Sequence, residues 1–196
     1  MHHEITHSAF GLKLRPIELE DAGFILELRR NPSINLFVGD TPLDIKSQES
    51  WIREYFKRKG DYYFCFERAR SGKPLGTAGI YNLKCQEGIK VAEWGRWLLS
   101  PGVLAAPASF YLIFQTAFEK LNLDQVNSRT VLDNVQLISF FDRLGLENCG
   151  IKKNDVVLRG IPKDQVIYRL TKSLWESIKP DLIAVASKAE RFVNGD

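Results

Sequence analysis

Apolar and polar positions alternate with two different periods along this chain, and the switches between them mark out its elements. Leu12 to Ile17 (LKLRPI) alternates as a short strand, with Pro16 at an edge or strand end. Glu18 to Arg30 repeats at three- and four-residue steps, which predicts an amphipathic helix with Ile25, Leu26 and Leu28 inward, stopped by Asn31-Pro32. Ser47 to Arg58 predicts a second helix that buries Trp51, Ile52 and Tyr55. Tyr62 to Glu67, Leu75 to Leu83 and Ile89 to Leu99 read as three consecutive strands, divided by the turns Ser71-Gly72-Lys73-Pro74 and Gln86-Glu87-Gly88. Gly76 and Gly79 predict a bulge or close backbone packing in the middle one. Gln125 to Val131 is another strand, and Asn134 to Leu144 a short helix ended by Gly145. Ile151 to Leu158 and Gln165 to Leu170 are closing strands, and Ser173 to Phe192 is a helical tail interrupted at Lys179-Pro180.

The stretch from Glu93 to Leu121 organises the rest. Its strand, with Trp94, Trp97, Leu98 and Leu99, breaks at Ser100-Pro101-Gly102. After Ala105, Ala106, Pro107 and Ala108 comes a helix with Phe110, Ile113, Phe114, Ala117, Phe118 and Leu121 at helical spacing. Free N–H groups at such a helix start, aided by the helix dipole, hold an anion such as a diphosphate. A plain connection between strand and helix gives the same pattern. Three strands in succession predict an antiparallel meander, and the strand–helix–strand unit beside them a parallel pair. The fold class is therefore α/β, a mixed sheet with helices on both sides.

Composition narrows this little. With 196 residues the chain suits one domain, and 44% apolar and 26% charged residues suit a globular protein. A net charge of +3 does not point to nucleic acid, although a mildly basic face favours anionic ligands. Cys65, Cys85 and Cys149 lack the spacing of a disulfide frame or zinc site, and read as reduced thiols of a cytoplasmic protein. MHHEITHSAFG has no apolar signal-peptide core, and no segment is long enough to span a membrane. His2, His3 and His7 are expected on a flexible, solvated terminus, with no metal bound.

The stretches LRPIELEDAGFILELRRNPSI, AEWGRWLL, AFEKLNLDQV and DNVQLISFFDRLGL, in this order, resemble motifs of the GNAT superfamily of acyl-CoA-dependent N-acetyltransferases. The resemblance runs from about Leu12 to Leu170. It implies a mixed sheet of about seven strands flanked by helices. The chain divides accordingly into a flexible terminus (1–11), an acetyltransferase domain (12–171) and a helical extension (172–196). Leu174, Trp175, Ile178 and Leu182 make the extension too apolar to be free, so it packs on the domain or on a partner subunit in a homodimer.

The same resemblance implies acetyl-CoA as acetyl donor, bonded to the backbone of Trp97, Leu98 and Leu99, one N–H of which would serve as oxyanion donor. Its diphosphate would lie on the N–H groups of Val103, Leu104, Ala105 and Ala106. Asn134 matches an asparagine that reaches the cofactor, or else caps the following helix. Two positions depart from the family. Leu104 replaces a loop glycine, which predicts a different or strained loop. Phe141 replaces a tyrosine that protonates the leaving thiolate in many members, leaving Ser139, a water or no acid. Glu93 is the candidate base, with an ion-paired surface glutamate as the alternative. Cys85 and Cys149 have no nearby histidine and are not expected to act as nucleophiles. The acceptor pocket would use Arg30, Asn31, Phe37, Trp51, Tyr81 and Trp97. The Arg30-Asn31-Pro32 turn and the Trp51 helix resemble the branch acting on nucleotide-linked amino-sugars, or the related branch acting on protein (ribosomal-protein-type) N-termini. A non-catalytic binding module is the third reading.

Overall fold

The computed structural model describes residues 3–39, 41 and 44–194; His2 lies outside them. Strands β1 (His7–Ala9) and β2 (Leu12–Pro16) lead through a 3₁₀ turn, Leu19–Asp21, into helices α1 (Ala22–Arg30) and α2 (Ile45–Tyr55). Strands β3 (Tyr62–Arg68), β4 (Pro74–Gln86) and β5 (Ile89–Leu99) follow, then α3 (Ala106–Gln115) and a π-helical turn, Thr116–Lys120. The chain continues with β6 (Gln125–Val131), α4 (Val135–Arg143), β7 (Glu147–Leu158), β8 (Ile161–Thr171) and α5 (Lys172–Asn194). One eight-stranded sheet has the order β1-β2-β3-β4-β5-β6-β8-β7. Neighbours are antiparallel except β5 and β6, which α3 connects as a crossover. The expected meander and parallel pair are both present. The strand beyond the expected seven is β1.

At β3 both faces of the sheet are covered, and its sequence shows how this is arranged. In YYFCFER, Phe64 and Phe66 join Phe110, Phe114 and the rest of the α3 side, whereas Tyr63 and Cys65 join Ile25, Ile52 and Tyr55 of α1 and α2. Alternation therefore places apolar residues on both faces, and each fully buried aromatic contributes about 1.5–3 kcal/mol relative to exposure. Helix α3 is apolar nearly all round, with Ala108 to Phe114 buried, because α5 covers the side that the sheet does not.

Two expectations for the termini are corrected. Helix α5 runs unbroken through Pro180. Trp175 and Leu182 are buried on either side of the proline, and Lys179 Nζ lies 2.6 Å from Glu119 Oε1, so tertiary packing outweighs the lost helical hydrogen bond. The described N-terminal residues, from 3 onward, are not a solvated tail. His7 pairs opposite Leu14 in β1–β2, and its Nε2 lies 2.7 Å from Thr116 Oγ1. The His3 ring is buried against Phe64 and Tyr62, with centroid distances of 4.7 and 5.3 Å.

An ion network ties β2, β3 and the start of α1 together. Arg15 donates Nη1 and Nη2 to Asp21 at 2.7 and 2.9 Å and Nε to Glu67 at 2.6 Å, and Lys13 donates to Glu67 at 2.8 Å. Helix α2 starts earlier than Ser47 because Asp44 caps it, accepting the Ser47 N–H at 2.8 Å.

Candidate active site

Strand β5 stays paired with β4 as far as Leu99, opposite Gly76. Its pairing with β6 ends at Trp94, opposite Ser128. From Gly95 to Leu99 the edge of β5 that faces β6 has no strand partner among the described residues, so the two parallel strands part there. Gly76 allows the tight pairing on the other edge: a Cβ at that position would lie 2.5 Å from the Leu98 carbonyl oxygen.

The β4–β5 register shifts in the same place. Thr77 opposes Leu98 and Gly79 opposes Gly95, so Ala78 faces two residues, Arg96 and Trp97. Arg96 is in the left-handed region, with φ 53°. The extra residue reassigns the faces. Trp94 and Trp97 both lie on the α3 side: Trp94 packs 4.9 Å from Phe114, and Trp97 donates Nε1 to Ser109 Oγ at 3.1 Å and stacks on Phe140. Glu93 and Arg96 share the opposite side, towards α1 and α2.

Beyond Leu99 the chain turns at Gly102, φ 79°, and enters α3. Leu104 is not in the left-handed region; its side chain is 55% exposed and the turn is made entirely by Gly102. The expected strain at Leu104 is therefore absent. Ala105 caps α3 without any side-chain hydrogen bond, and the first helical bond is Ser109 N–H to the Ala105 carbonyl. The N–H groups of Ala106 and Ala108 precede that bond, while Pro107 has none to satisfy. Ala105 and Ala108 are fully buried, whereas Leu104 is exposed and Ala106 partly so, so a phosphate would approach this helix start from the side of Val103, Leu104 and Ala106. The residues present thus fit a phosphorylated ligand running from the loop along the open edge of β5.

On the α1–α2 side lies a cavity of about 360 Å³ lined by Ile25, Arg29, Thr41, Gln48, Trp51, Tyr63 and Arg96. Arg96 donates Nη1 and Nη2 to Asp61 at 2.6 and 3.0 Å, and its guanidinium lies 4.5 Å from the Tyr81 ring centroid. Burial opposes the Arg96 charge, but the hydrogen bonds and charge of Asp61 outweigh it and raise the pKa. Arg29 donates to the Gly39 carbonyl at 3.2 Å. A second cavity, about 510 Å³, separates α1 from the β5–α3 loop, with Asn31, Arg68, Lys73 and Val103 in its wall.

The candidate residues fall into three groups. Trp97, Leu98, Leu99, Val103, Leu104, Ala105 and Ala106 are brought together around the parted edge and the helix start. Glu93 lies opposite Tyr81, accepts from Asn82 Nδ2 at 3.2 Å and pairs with Arg129 at 3.6 Å. Burial raises the Tyr81 pKa, Arg96 opposing it, and the Tyr81 hydroxyl occupies the space a Cβ on Gly95 would need, 2.4 Å away. The remainder do not converge. Asn134 is the N-cap of α4, its Oδ1 accepting the Leu137 N–H at 3.3 Å. Phe141 is fully buried against Trp94 and Tyr168, a wall residue with no hydroxyl. Ser139 is exposed and, two residues from Phe141, points to the other side of α4. Arg30 and Phe37 line neither cavity, and Asn31 folds its Oδ1 onto the Ser33 N–H at 2.9 Å.

Arg29, Gln48, Asp61 and Arg96 are the residues that sequence reasoning missed. For Arg96 the signal was Gly95 before it, since a glycine inside a strand marks a bulge. Among the described residues no cluster of three metal-ligating side chains occurs, and no helix is long and apolar enough to cross a membrane.

A parallel strand pair that opens beside an uncapped helix start defines the acyl-CoA-dependent acyltransferase architecture that the sequence resemblance implied. The chain belongs to the acetyltransferase (GNAT) domain family, whose sequence model matches residues 11–147, and it is an acyltransferase of that family. Among solved structures it is similar to apo FdhC, described as a nucleotide-linked sugar GNAT, with 28% identity, TM-score 0.75, and 95% of this chain and 99% of that chain covered. A spermidine N-acetyltransferase from Vibrio cholerae superposes with TM-score 0.71 at 18% identity over 84% and 96% of the two chains. The ribosomal-protein-S5-alanine acetyltransferase from Vibrio fischeri gives 0.71 at 16% identity over 88% and 99%. At those identities the last two share the fold. No curated protein matches the chain in sequence.

Proposed function

We propose that this acyltransferase moves an acetyl group from acetyl-CoA to the amine of a nucleotide-linked amino-sugar. Acetyl-CoA supplies the acyl group as an activated thioester. The N–H groups of Val103, Leu104, Ala105 and Ala106 suit its diphosphate, and the open backbone edge of Trp97, Leu98 and Leu99 suits the pantetheine arm. A backbone N–H on that edge stabilises negative charge on the carbonyl oxygen without reorganising. Glu93, on the acceptor side of β5, takes the proton from the attacking amine, directly or through a water. Phe141 offers no proton to the leaving sulfur, so the chain supplies no acid from that position.

The observation that carries the acceptor class is the cavity between α1 and α2. Arg29 in its wall suits a phosphate, and Trp51 and Tyr63 give flat apolar surface to a sugar ring. Arginine there opposes a polycation such as spermidine or a basic peptide terminus. The 28% identity to a nucleotide-linked sugar GNAT over nearly the whole of both chains supports the same class. Free-thiol release from acetyl-CoA, measured over nucleoside-diphosphate amino-sugars, peptides with free N-termini and polyamines, tests the reading. The highest kcat/KM is expected on a nucleoside-diphosphate amino-sugar. Turnover confined to peptides or polyamines overturns it.

A further inference from the structure

We propose that Arg96 is a positioning residue: clamped by Asp61, its side chain holds the left-handed bulge that sets the open edge of β5 for acetyl-CoA. The proposal rests on the reading of that edge as the cofactor cleft. Arginine is disfavoured at φ 53°, and such a conformation persists only where the surroundings over-determine it. Phe10, Glu87 and Arg159, also at positive φ, sit in turns between paired strands, where the turn itself imposes the conformation, and Asn82 and Asn154, inside β4 and β7, are asparagines, which take it readily. Arg96 lies inside a central strand, and its conformation is imposed by its side chain and carbonyl instead.

Contacts to five residues do this. Two guanidinium nitrogens meet the two Asp61 oxygens at 2.6 and 3.0 Å, a planar fork that fixes direction as well as distance. The cation lies 4.5, 5.3 and 5.4 Å from the ring centroids of Tyr81, Tyr63 and Trp51. The Arg96 carbonyl accepts the hydroxyl proton of Thr77, itself fully buried, at 3.0 Å. The side chains of Arg96 and Asp61 are only 20% and 9% exposed, so water competes weakly for the pair. Arg96 is the extra residue of the bulge, and the last β5–β6 pair, Trp94 with Ser128, lies two residues before it. Relaxing Arg96 to an ordinary extended conformation would restore simple alternation. Trp97 would then rotate away from Ser109, and the course of Gly95–Leu99 would change.

The test needs no knowledge of the acceptor. Acetyl-CoA is titrated calorimetrically into the full-length wild type and into Asp61→Asn, Arg96→Leu, the double variant and Arg96→Gly, with folding checked by circular dichroism. Each of the first two is expected to bind roughly tenfold more weakly, the order set by the penalty for a non-glycine residue in the left-handed region. The double variant should lie within about twofold of the weaker single one, because both changes remove one clamp. Arg96→Gly should recover most of the affinity, since glycine takes the left-handed conformation freely; a role in charge alone would not separate glycine from leucine, and a role in bulk packing alone would make glycine the worse of the two. Hydrogen exchange of the Gly95–Leu99 amides without cofactor should be faster in Asp61→Asn and Arg96→Leu than in wild type. Affinity and exchange unchanged in Arg96→Leu, multiplying losses in the double variant, or Arg96→Gly as weak as Arg96→Leu would each overturn the proposal. A wild type that binds no acetyl-CoA would overturn the cofactor reading instead, and the exchange measurement would still decide the clamp.

Discussion

Replacing Gly76 with alanine attacks the proposed cofactor strand from behind. The added methyl would stand 2.5 Å from the Leu98 carbonyl oxygen, 2.6 Å from Leu99 Cδ2 and 3.3 Å from Leu99 Cα. Two of these contacts are backbone, so no side-chain rotation relieves them, and β4 and β5 must separate by several tenths of an ångström where they are most closely paired. Overpacking of this kind destabilises by about 1–3 kcal/mol. For a domain of this size that lowers the melting temperature by roughly 3–10 °C. The displaced residues, Leu98 and Leu99, are those whose other edge is assigned to acetyl-CoA, so binding should weaken even where the variant is fully folded. Thermal unfolding followed by circular dichroism gives the first quantity, and calorimetric titration well below the transition gives the second. A variant with wild-type melting temperature and wild-type affinity would refute both the packing argument and the placement of the cofactor on this strand.

Other consequences are independent of that one. Glu93→Gln should lower turnover by about 10²–10⁴-fold while leaving acetyl-CoA affinity unchanged, and unchanged turnover with an unchanged pH profile would remove Glu93 as the base. Burial, with Asp21 adding to it, pushes the Cys65 thiol up to about 12, whereas Cys85 and Cys149 are exposed. Mass spectrometry after iodoacetamide treatment at mildly alkaline pH should therefore find two thiols alkylated in the native protein, and the third only after unfolding. Burial works against the Glu67 charge, but hydrogen bonds from Lys13 and Arg15 outweigh it and hold the carboxyl below the ordinary value of 4.5. A carboxyl with a depressed folded-state pKa stabilises the fold above its unfolded value, so this contribution is present above about pH 4.5 and lost as pH falls through the folded value. Glu67→Gln should accordingly be less stable than wild type at neutral pH by denaturant titration, with the gap narrowing in acid.

Much of the fold was legible because the strands and helices carry clean periods. Gln125–Val131 and Ile89–Leu99 were delimited correctly from alternation and flanking turn residues alone. What failed depended on contacts distant in sequence. Pro180 breaks a helix locally, but Trp175 and Leu182 packing on α3 holds α5 continuous across it. The three residues of β1 are too few to show a period, and only pairing with β2 makes them a strand. The stretch proposed for the cofactor, Trp97 to Ala106, could be named from the sequence because it is consecutive backbone. The acceptor side could not, because it joins α1, α2, β3 and β5. Arg29 rather than Arg30 faces the cavity, a difference of one residue in helix phase. Arg96 was hidden by the bulge, since strict alternation assigns it to the face of Trp94.

Backbone amide shifts on adding acetyl-CoA report the proposed cofactor site without any acceptor. The largest perturbations are expected at Val103, Leu104, Ala105 and Ala106 and along Gly95–Leu99, with little change at β7. No perturbation at millimolar cofactor, or perturbations that leave the β5–α3 loop and the open edge of β5 untouched, would contradict that placement of the cofactor.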